Sequence, residues 1–371
     1  MNAEFNYEIP FRVAESPVFV PKNFSQSVFG ACDEIISFLN QKDFMRTSEK
    51  AVPASLNVPG ETKHPLFLAL DFGVCKNAEG EIIPQLIEMQ GFASMFGWQH
   101  FVAQQYRKHF TIPENFSHLF VPSPEDYIFI LKKNILKNHN PENVILLEVE
   151  PEKQNTRIDF LISEKWLGIK AVCISKIIKQ GRHIFYESDG KKIPIHRIYN
   201  RVIFDELLKR DDLKLNFRMT DDVNVEWADH PNWFFRISKY LMPRIKSKFI
   251  PECFFVNELK SIPPDLENYV LKPLYSFSGS GIKFHVKKDD IESIPDPENF
   301  ILQKKVNYEP VLQSPDGNVK VELRILFIRE PGADDFMPVI NMARLSRGEM
   351  IGVKYNLNKT WVGGSVGFYE K

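Results

Sequence analysis

Apolar and polar positions change their spacing several times along the chain, and each spacing predicts a different element. From Phe24 to Leu39 apolar residues recur every three or four positions, which predicts an amphipathic helix. Leu66 to Val74 is apolar, Lys76 to Glu81 is polar and holds Asn77 and Gly80, and Ile82 to Gln90 is apolar again. That pattern predicts a β-hairpin with a longer loop. Asn143 to Val149 reads as a buried strand, Thr156 to Trp166 has helical spacing and stops at Gly168, and Lys170 to Ile174 reads as a second strand. Together these predict a β-α-β unit of an open sheet. Beyond about residue 216 strands dominate, with turn signals at Ser278 to Gly281, Pro315 to Gly317, Pro331 to Asp335 and Gly363 to Gly364. The expected fold class is α/β with α+β character, in three stretches: 1–135, 136–215 and 216–371. No fixed-period repeat and no low-complexity tract is visible.

Composition narrows the function classes. A chain of 371 residues, 43% hydrophobic and 26% charged, has ample material for a core and is neither a disulfide scaffold nor a disordered or rod-like protein. Lys and Arg number 47 against 48 Asp and Glu, so no global field draws the chain to nucleic acid or to a membrane surface, and neither is expected as a partner. Met1 to Pro10 does not read as a secretory signal, and no apolar run approaches the roughly 18 residues that span a bilayer. A soluble, cytoplasmic protein is expected. Cys32, Cys75, Cys173 and Cys253 are far apart in sequence and are expected to be reduced packing residues. The histidines show no tight metal-ligand spacing, so His100, His109 and His196 are expected to be packed or at the surface.

Candidate chemistry begins at Tyr269 to Pro273, a strand that carries Lys272 and runs into a loop holding Ser278, Gly279, Ser280 and Gly281. A lysine beside small residues offers one cation and several unhindered backbone N–H groups to the same point, as a triphosphate requires. The spacing is not that of a P-loop, and a plain hairpin turn with glycines at positive φ fits the same residues. Downstream, Phe300 to Val306 reads as a strand, Val321 to Ile328 as another with Glu322 and Arg324 on one face, and Met342 to Leu345 as a third carrying Arg344. Asn356, Asn358 and Gly363-Gly364 follow.

In that order the sequence resembles the ATP-grasp superfamily of carboxylate–amine ligases: lysine strand, glycine-rich flap, hinge, arginine strand, second arginine, then an Asn…Gly-Gly turn. The family's metal-ligand strands would come next, and here they are found instead near the N-terminus. Leu70 to Gly73 and Leu86 to Gly91, within a hairpin at about 65–91, resemble them, with Gln90 where the family has Asn. With the loop centred near Ala78, Asp71 faces a residue within about two positions of Glu88, and Glu88 and Gln90 share a face because the strand period is 2. Such an order is similar to that of circularly permuted ATP-grasp proteins, which include the glutathionylspermidine synthase type and eukaryotic glutathione synthetase. Residues 143–174 then resemble the Rossmann-like pre-ATP-grasp domain. The resemblance covers about 65–371 and leaves 1–60 unassigned.

The resemblance implies roles residue by residue. Asp71, Glu88 and Gln90 would hold Mg²⁺. Lys272 and the earlier Lys239 would contact the α and β phosphates of ATP under the flap formed by Ser278, Gly279, Ser280 and Gly281. Gln303, Lys304 and Val306 would form the adenine hinge, with Glu309 as a ribose acceptor. Arg324 and Arg344 would hold the γ-phosphate and an acyl phosphate, because a planar guanidinium grips such oxygens bidentately. Arg201 would hold a substrate carboxylate, although Asn200-Arg201 equally suits a cap for the helix beginning near Phe204. The implied activity is an ATP- and Mg²⁺-dependent ligase joining a small-molecule or peptide carboxylate to an amine or thiol through an acyl phosphate. A catalytically inactive ATP-binding protein and a small-molecule kinase on the same fold are the alternatives, the first suggested by Gln90. The oligomeric state is left open. One further pattern, Gly363-Gly364-Ser365-Val366-Gly367, matches the nucleophile elbow of hydrolases, but the required helix, acid and histidine do not fit in the six residues after Ser365.

Overall fold

The computed structural model describes residues 2–276, 279–352, 356 and 358–371, with residues 2 and 3 described by their backbone alone. Ser278 of the glycine-rich loop therefore lies outside the described residues, as does Phe277.

The helix expected at Phe24 runs from Lys22 to Leu39, and Val28, Ala31, Cys32, Ile35 and Leu39 form its buried stripe. The hairpin pairs Phe67–Lys76 with Ile82–Gln90. Arg157–Leu167 is helical and stops at Gly168, whose left-handed backbone caps it. Two further helices, Phe96–His109 and Pro124–Leu136, were not expected from the periodicity. The first is buried on most of its faces, so it carries little amphipathic contrast to read.

Among the described residues the strands form five sheets. The largest runs, in spatial order, through Gly363–Ser365, Met337–Ser346, Gly317–Ile328, Phe67–Lys76 and Ile82–Gln90, every neighbouring pair antiparallel, with Leu312–Ser314 pairing off this path. The hairpin from the first quarter of the chain thus sits beside the arginine strands from its last quarter. A parallel sheet orders Glu226–Ala228, Arg197–Asn200, Val144–Glu148 and Lys170–Cys173, as the β-α-β pattern predicts. A small antiparallel sheet places Phe300–Lys304 between Cys253–Phe255 and Tyr269–Pro273. Val18–Val20 lies parallel to Gly367–Glu370, so residues near the two ends of the chain share a sheet. The fifth is an antiparallel meander of Ile178–Gln180, His183–Ser188 and Lys191–Pro194. No helix among the described residues is long and apolar enough to cross a membrane.

The two faces of the large sheet are built by the period of 2. Along Phe67–Lys76, Leu68, Leu70, Phe72 and Val74 enter the principal core while Phe67 and Ala69 enter a second one. Along Gly317–Ile328, Val319, Val321, Leu323, Ile325 and Phe327 join the principal core, and Leu326 and Ile328 the second. Asp71, Glu322 and Arg324 occupy the second face, where the apolar residues give out.

Gly363 accounts for the double glycine without any catalytic elbow. Its φ is +125°, and a Cβ there would stand 2.4 Å from the Arg12 carbonyl oxygen, whereas one at Gly364 would stand 3.8 Å from the same atom. The close approach lets Gly364 N–H donate to the Arg12 carbonyl at 2.9 Å, tying residues 12–14 to the sheet edge. Gly363→Ala should therefore destabilise the fold by more than about 2 kcal/mol in urea denaturation, and Gly364→Ala by under about 1 kcal/mol; equal losses would show that the approach is not rigid.

Candidate functional site

Strand register sets the site. Asp71 lies directly opposite Arg324 on one side and Glu88 on the other, while Glu322 faces Arg344 one strand further on. Directly opposed residues share a face, so the two arginines and three carboxylates lie together on one side of the sheet. Asp71 accepts two bonds from Arg324, Nε to Oδ1 at 2.5 Å and Nη2 to Oδ2 at 2.6 Å, and a third from Arg344 Nη2 at 2.5 Å. Arg344 also pairs with Glu322, whose second oxygen accepts from Tyr308 Oη at 3.0 Å. Ser94 Oγ accepts from Arg324 Nη1 at 3.2 Å. Burial works against the charge on Arg344, but Glu322, Asp71 and Glu88 outweigh it. For Glu322 burial wins, helped by Asp71, and its carboxyl is pushed up despite the arginines.

A bulge in the hairpin brings the lysine strand to this row. Asp71 pairs with Glu88 but Phe72 with Leu86, which leaves Ile87 as the extra residue. Its carbonyl, free of the ladder, accepts from Lys272 Nζ at 3.3 Å. Lys239 Nζ lies 3.7 Å from Glu88 and donates to the Ser276 carbonyl at 2.8 Å. Glu88 accepts from Gln90 Nε2 at 3.0 Å. Burial alone would raise Glu88, but Lys239, Arg324, the Gln90 bond and Arg344 together hold it below the usual carboxylate range. Lys272 is depressed to about 8, by burial first and then by Lys239, with Glu88 opposing. Glu88, Gln90, Lys239 and Ser276 border a cavity of about 20 Å³, room for roughly one water molecule.

The donor set fits a hard divalent cation in part. Glu88 is a half-buried carboxylate held in its charged form, and Gln90 Oε1 is a buried carbonyl oxygen with no partner. Asp71 shares their face, as expected, but both its oxygens are held by guanidinium groups. Among the described residues no group of three His, Cys, Asp or Glu side chains is arranged to hold a metal ion.

The other expected residues fall at several places. Gln303 is buried in the middle of the small sheet with Oε1 unpartnered, and Lys304 ends that strand exposed. Val306 begins the crossing to the large sheet, which docks where Lys76 N–H donates to the Asn307 carbonyl and Glu309 N–H to the Val74 carbonyl. Glu309 pairs with Lys76 at 3.8 Å in a partly exposed ion pair. Gly279 and Gly281 have φ of +72° and +71°, as a tight loop requires. Arg201 lies apart from the charged row: it is buried on Asp159 at 2.5 Å, tying the Arg197–Asn200 strand to the Arg157–Leu167 helix. Sequence reasoning missed Tyr308, Ser94 and the Ile87 carbonyl, and gave Glu322 no role. Only the i, i+2 spacing of Glu322 and Arg324 hinted at the last.

The sequence matches no known family model and no curated protein. Its fold does match a solved structure. A glutathione synthetase-like effector from Globodera pallida, in its apo form, superposes with a TM-score of 0.59 over 96% of this chain and 90% of that one, at 11% identity. The fold is therefore a mixed α/β one, shared over nearly the whole chain with that effector. At that identity the likeness extends to the fold alone.

Lys272 yields a pH signature. Below pH 8 the folded chain must bury an ammonium group that the unfolded chain hydrates; between 8 and the ordinary value of 10.5 the folded chain releases a proton that the unfolded chain keeps, so stability rises with pH. Lys272→Met removes the buried charge at similar size. It should stabilise the protein by about 2–3 kcal/mol at pH 7, the gain shrinking as pH rises toward 10.5. Urea titrations of both proteins at several pH values measure this, and a variant no more stable at pH 7 would contradict it.

Proposed function

We propose that the chain is an ATP- and Mg²⁺-dependent ligase that joins a carboxylate to an amine, with its ATP-grasp elements in circularly permuted order. The observation that carries this reading is the meeting of Asp71 and Arg324, 253 residues apart in sequence, in one row with Glu88 and Arg344 and with Lys239 and Lys272 above it. Four cations stand there against three carboxylates, Asp71, Glu88 and Glu322, and an acid-rich row that is still cationic overall suits a polyphosphate.

In the reaction a carboxylate oxygen takes the γ-phosphoryl group and ADP leaves. The amine nitrogen then attacks the carbonyl carbon, the C–N bond forms, the C–O bond to phosphate breaks, and the nitrogen loses a proton. Lys239 and Lys272 neutralise the α and β phosphates; to do so Lys239 exchanges the Ser276 carbonyl for a phosphate oxygen. Arg324 and Arg344 are oriented by Asp71, which fixes their planes toward the moving phosphoryl group. Glu88 and Gln90 would hold Mg²⁺, which supplies charge compensation at the transferring phosphate. Gln303 through Val306 seat the base. A second reading, nucleotide binding without turnover, is favoured by the same Asp71: a carboxylate tied to two arginines is not available to a metal.

Glu88→Gln should leave the ATP dissociation constant within about threefold and lower ADP release at least about 100-fold, because the lost charge acts on the transition state. Lys272→Ala should weaken ATP binding itself by about tenfold, because the lysine touches ground-state phosphates. Calorimetric titration with ATP and Mg²⁺ beside an ADP-release assay separates the two. If the parent binds ATP but releases no ADP across a panel of carboxylates and amines, the non-catalytic reading replaces the ligase.

A further inference from the structure

A second, larger cavity of about 310 Å³ adjoins the charged row, sharing Phe234, Leu274, Tyr275 and Ser276 with the small cavity beside Glu88. Its walls come from five separate stretches: Pro53 and Leu56, the Phe204–Leu207 helix with Leu208, Phe234 and Phe235, residues 273–276 with 280–281, and residues 296–300 at the start of the Phe300–Lys304 strand. That volume suits a ligand of one ring and a short chain.

Two properties of the lining select its chemistry. The first is aromatic. Phe204, Phe234, Phe235, Tyr275 and Phe300 all border the space, and several brace one another: Phe204 and Phe235 stand 4.9 Å apart, Phe234 and Phe235 meet edge-on at 5.2 Å, and Tyr275 meets Phe235 edge-on at 5.2 Å. Edge-on packing leaves ring faces presented at fixed angles, and ring faces attract cations. The second is charge. Asp205 and Asp296 border the cavity, and no lysine or arginine does among the described residues. Asp205 has an exposed partner, Lys209 at 2.9 Å, in a pair that water largely screens. Asp296 accepts only the Asn299 amide, at 3.0 Å, among its described side-chain partners. A carboxylate ligand would therefore meet two like charges here, and a cation would meet two opposite charges and several ring faces.

We infer that this cavity binds a primary amine in its cationic form, carried on an aromatic body. Within the ligase reading it is the acceptor seat, and the inference rests on that reading for the word acceptor only, since binding needs no nucleotide. The phosphate row next door is cationic, so the two neighbouring spaces sort opposite charges: phosphates to the lysines and arginines, ammonium to the aspartates. Ser280 and Gly281 border the cavity from the loop that also approaches the row.

The test is calorimetric titration of the intact protein at pH 7, without nucleotide, by three probes of one shape: tyramine, 3-(4-hydroxyphenyl)propionate and 4-ethylphenol. Tyramine should bind at least about tenfold more tightly than either of the others, the ring faces and carboxylates both favouring the cation. Asp296→Asn and Asp205→Asn, which keep size and local hydrogen bonding, should each reduce that preference about fivefold, with circular dichroism unchanged. Equal binding of all three probes, tighter binding of the carboxylate, no binding by any probe, or a preference that survives both substitutions together would overturn the inference. Failure of the ligase reading looks different: tyramine binds with the stated preference while the parent releases no ADP.

Discussion

Asp71 accepting Arg324 in a two-pronged bond, with Arg344 on the same carboxylate, is the constraint on which the rest of the site depends. A buried carboxylate is costly unless paired, and breaking such a pair by removing one partner costs more than the pair contributes net. The arrangement therefore acts less as a source of stability than as a fixer of register. A slip of one residue between Phe67–Lys76 and Gly317–Ile328 would turn Asp71 and Arg324 to opposite faces, bury a lone charge among Leu68, Leu70, Leu323 and Ile325, and expose that core. The apolar face and the charged row thus enforce the same pairing. The bulge at Ile87 follows from it: with Asp71 held opposite Glu88, the extra residue has its carbonyl released toward Lys272.

This coupling explains how far the sequence could be read. The hairpin, the lysine strand, the arginine strands and the β-α-β unit were legible because each is a local period bounded by turns; a loop centred near Ala78 placed Asp71 opposite a residue within about two positions of Glu88, and the register puts it opposite Glu88 itself. The helix Phe96–His109 was not legible, since Phe96 to Ala103 is buried throughout and shows no polar stripe. At the site, residue types and facing were readable but partners were not. Nothing local says that Asp71 is taken by arginines 253 and 273 residues away, that Tyr308 crosses to Glu322, or that Arg201 is spent on Asp159. Side-chain pairing between distant strands is a product of the closed fold.

Tyr308 shows how the small sheet is joined to this row. The chain leaves Phe300–Lys304, crosses at 305–309, and docks beside Val74 and Lys76, past Gly73 where pairing with the Gly317–Ile328 strand stops. Gly73 makes room for the docking, because a Cβ there would meet the Tyr308 ring at 2.6 Å. The tyrosine ring lies over Gly73 with its hydroxyl on Glu322, so any hinge motion of the small sheet is mechanically linked to the carboxylate that orients Arg344.

Unpartnered polar atoms sharpen that picture. Buried polar groups in folded proteins nearly always find partners, so each orphan calls for a reason. Orphans occur away from the row too, at Gln99 and at the stacked His100–His118 pair, and an orphan by itself marks nothing. Along the path from the small sheet to the hairpin, however, Gln303 Oε1, Arg344 Nε and Gln90 Oε1 are all unsatisfied. One is an acceptor on the strand leading to the crossing, one a guanidinium donor in the charged row, and one an acceptor beside a carboxylate kept charged by its neighbours. The small cavity next to Gln90 has room for about one water and is bordered by neither Gln303 nor Arg344, so the three atoms do not share one enclosed space. Lys239 borders that cavity and is shared between the Ser276 carbonyl and Glu88, so a group larger than water entering beside Gln90 would compete for the same ammonium, and the contacts it made would replace existing ones rather than add to them.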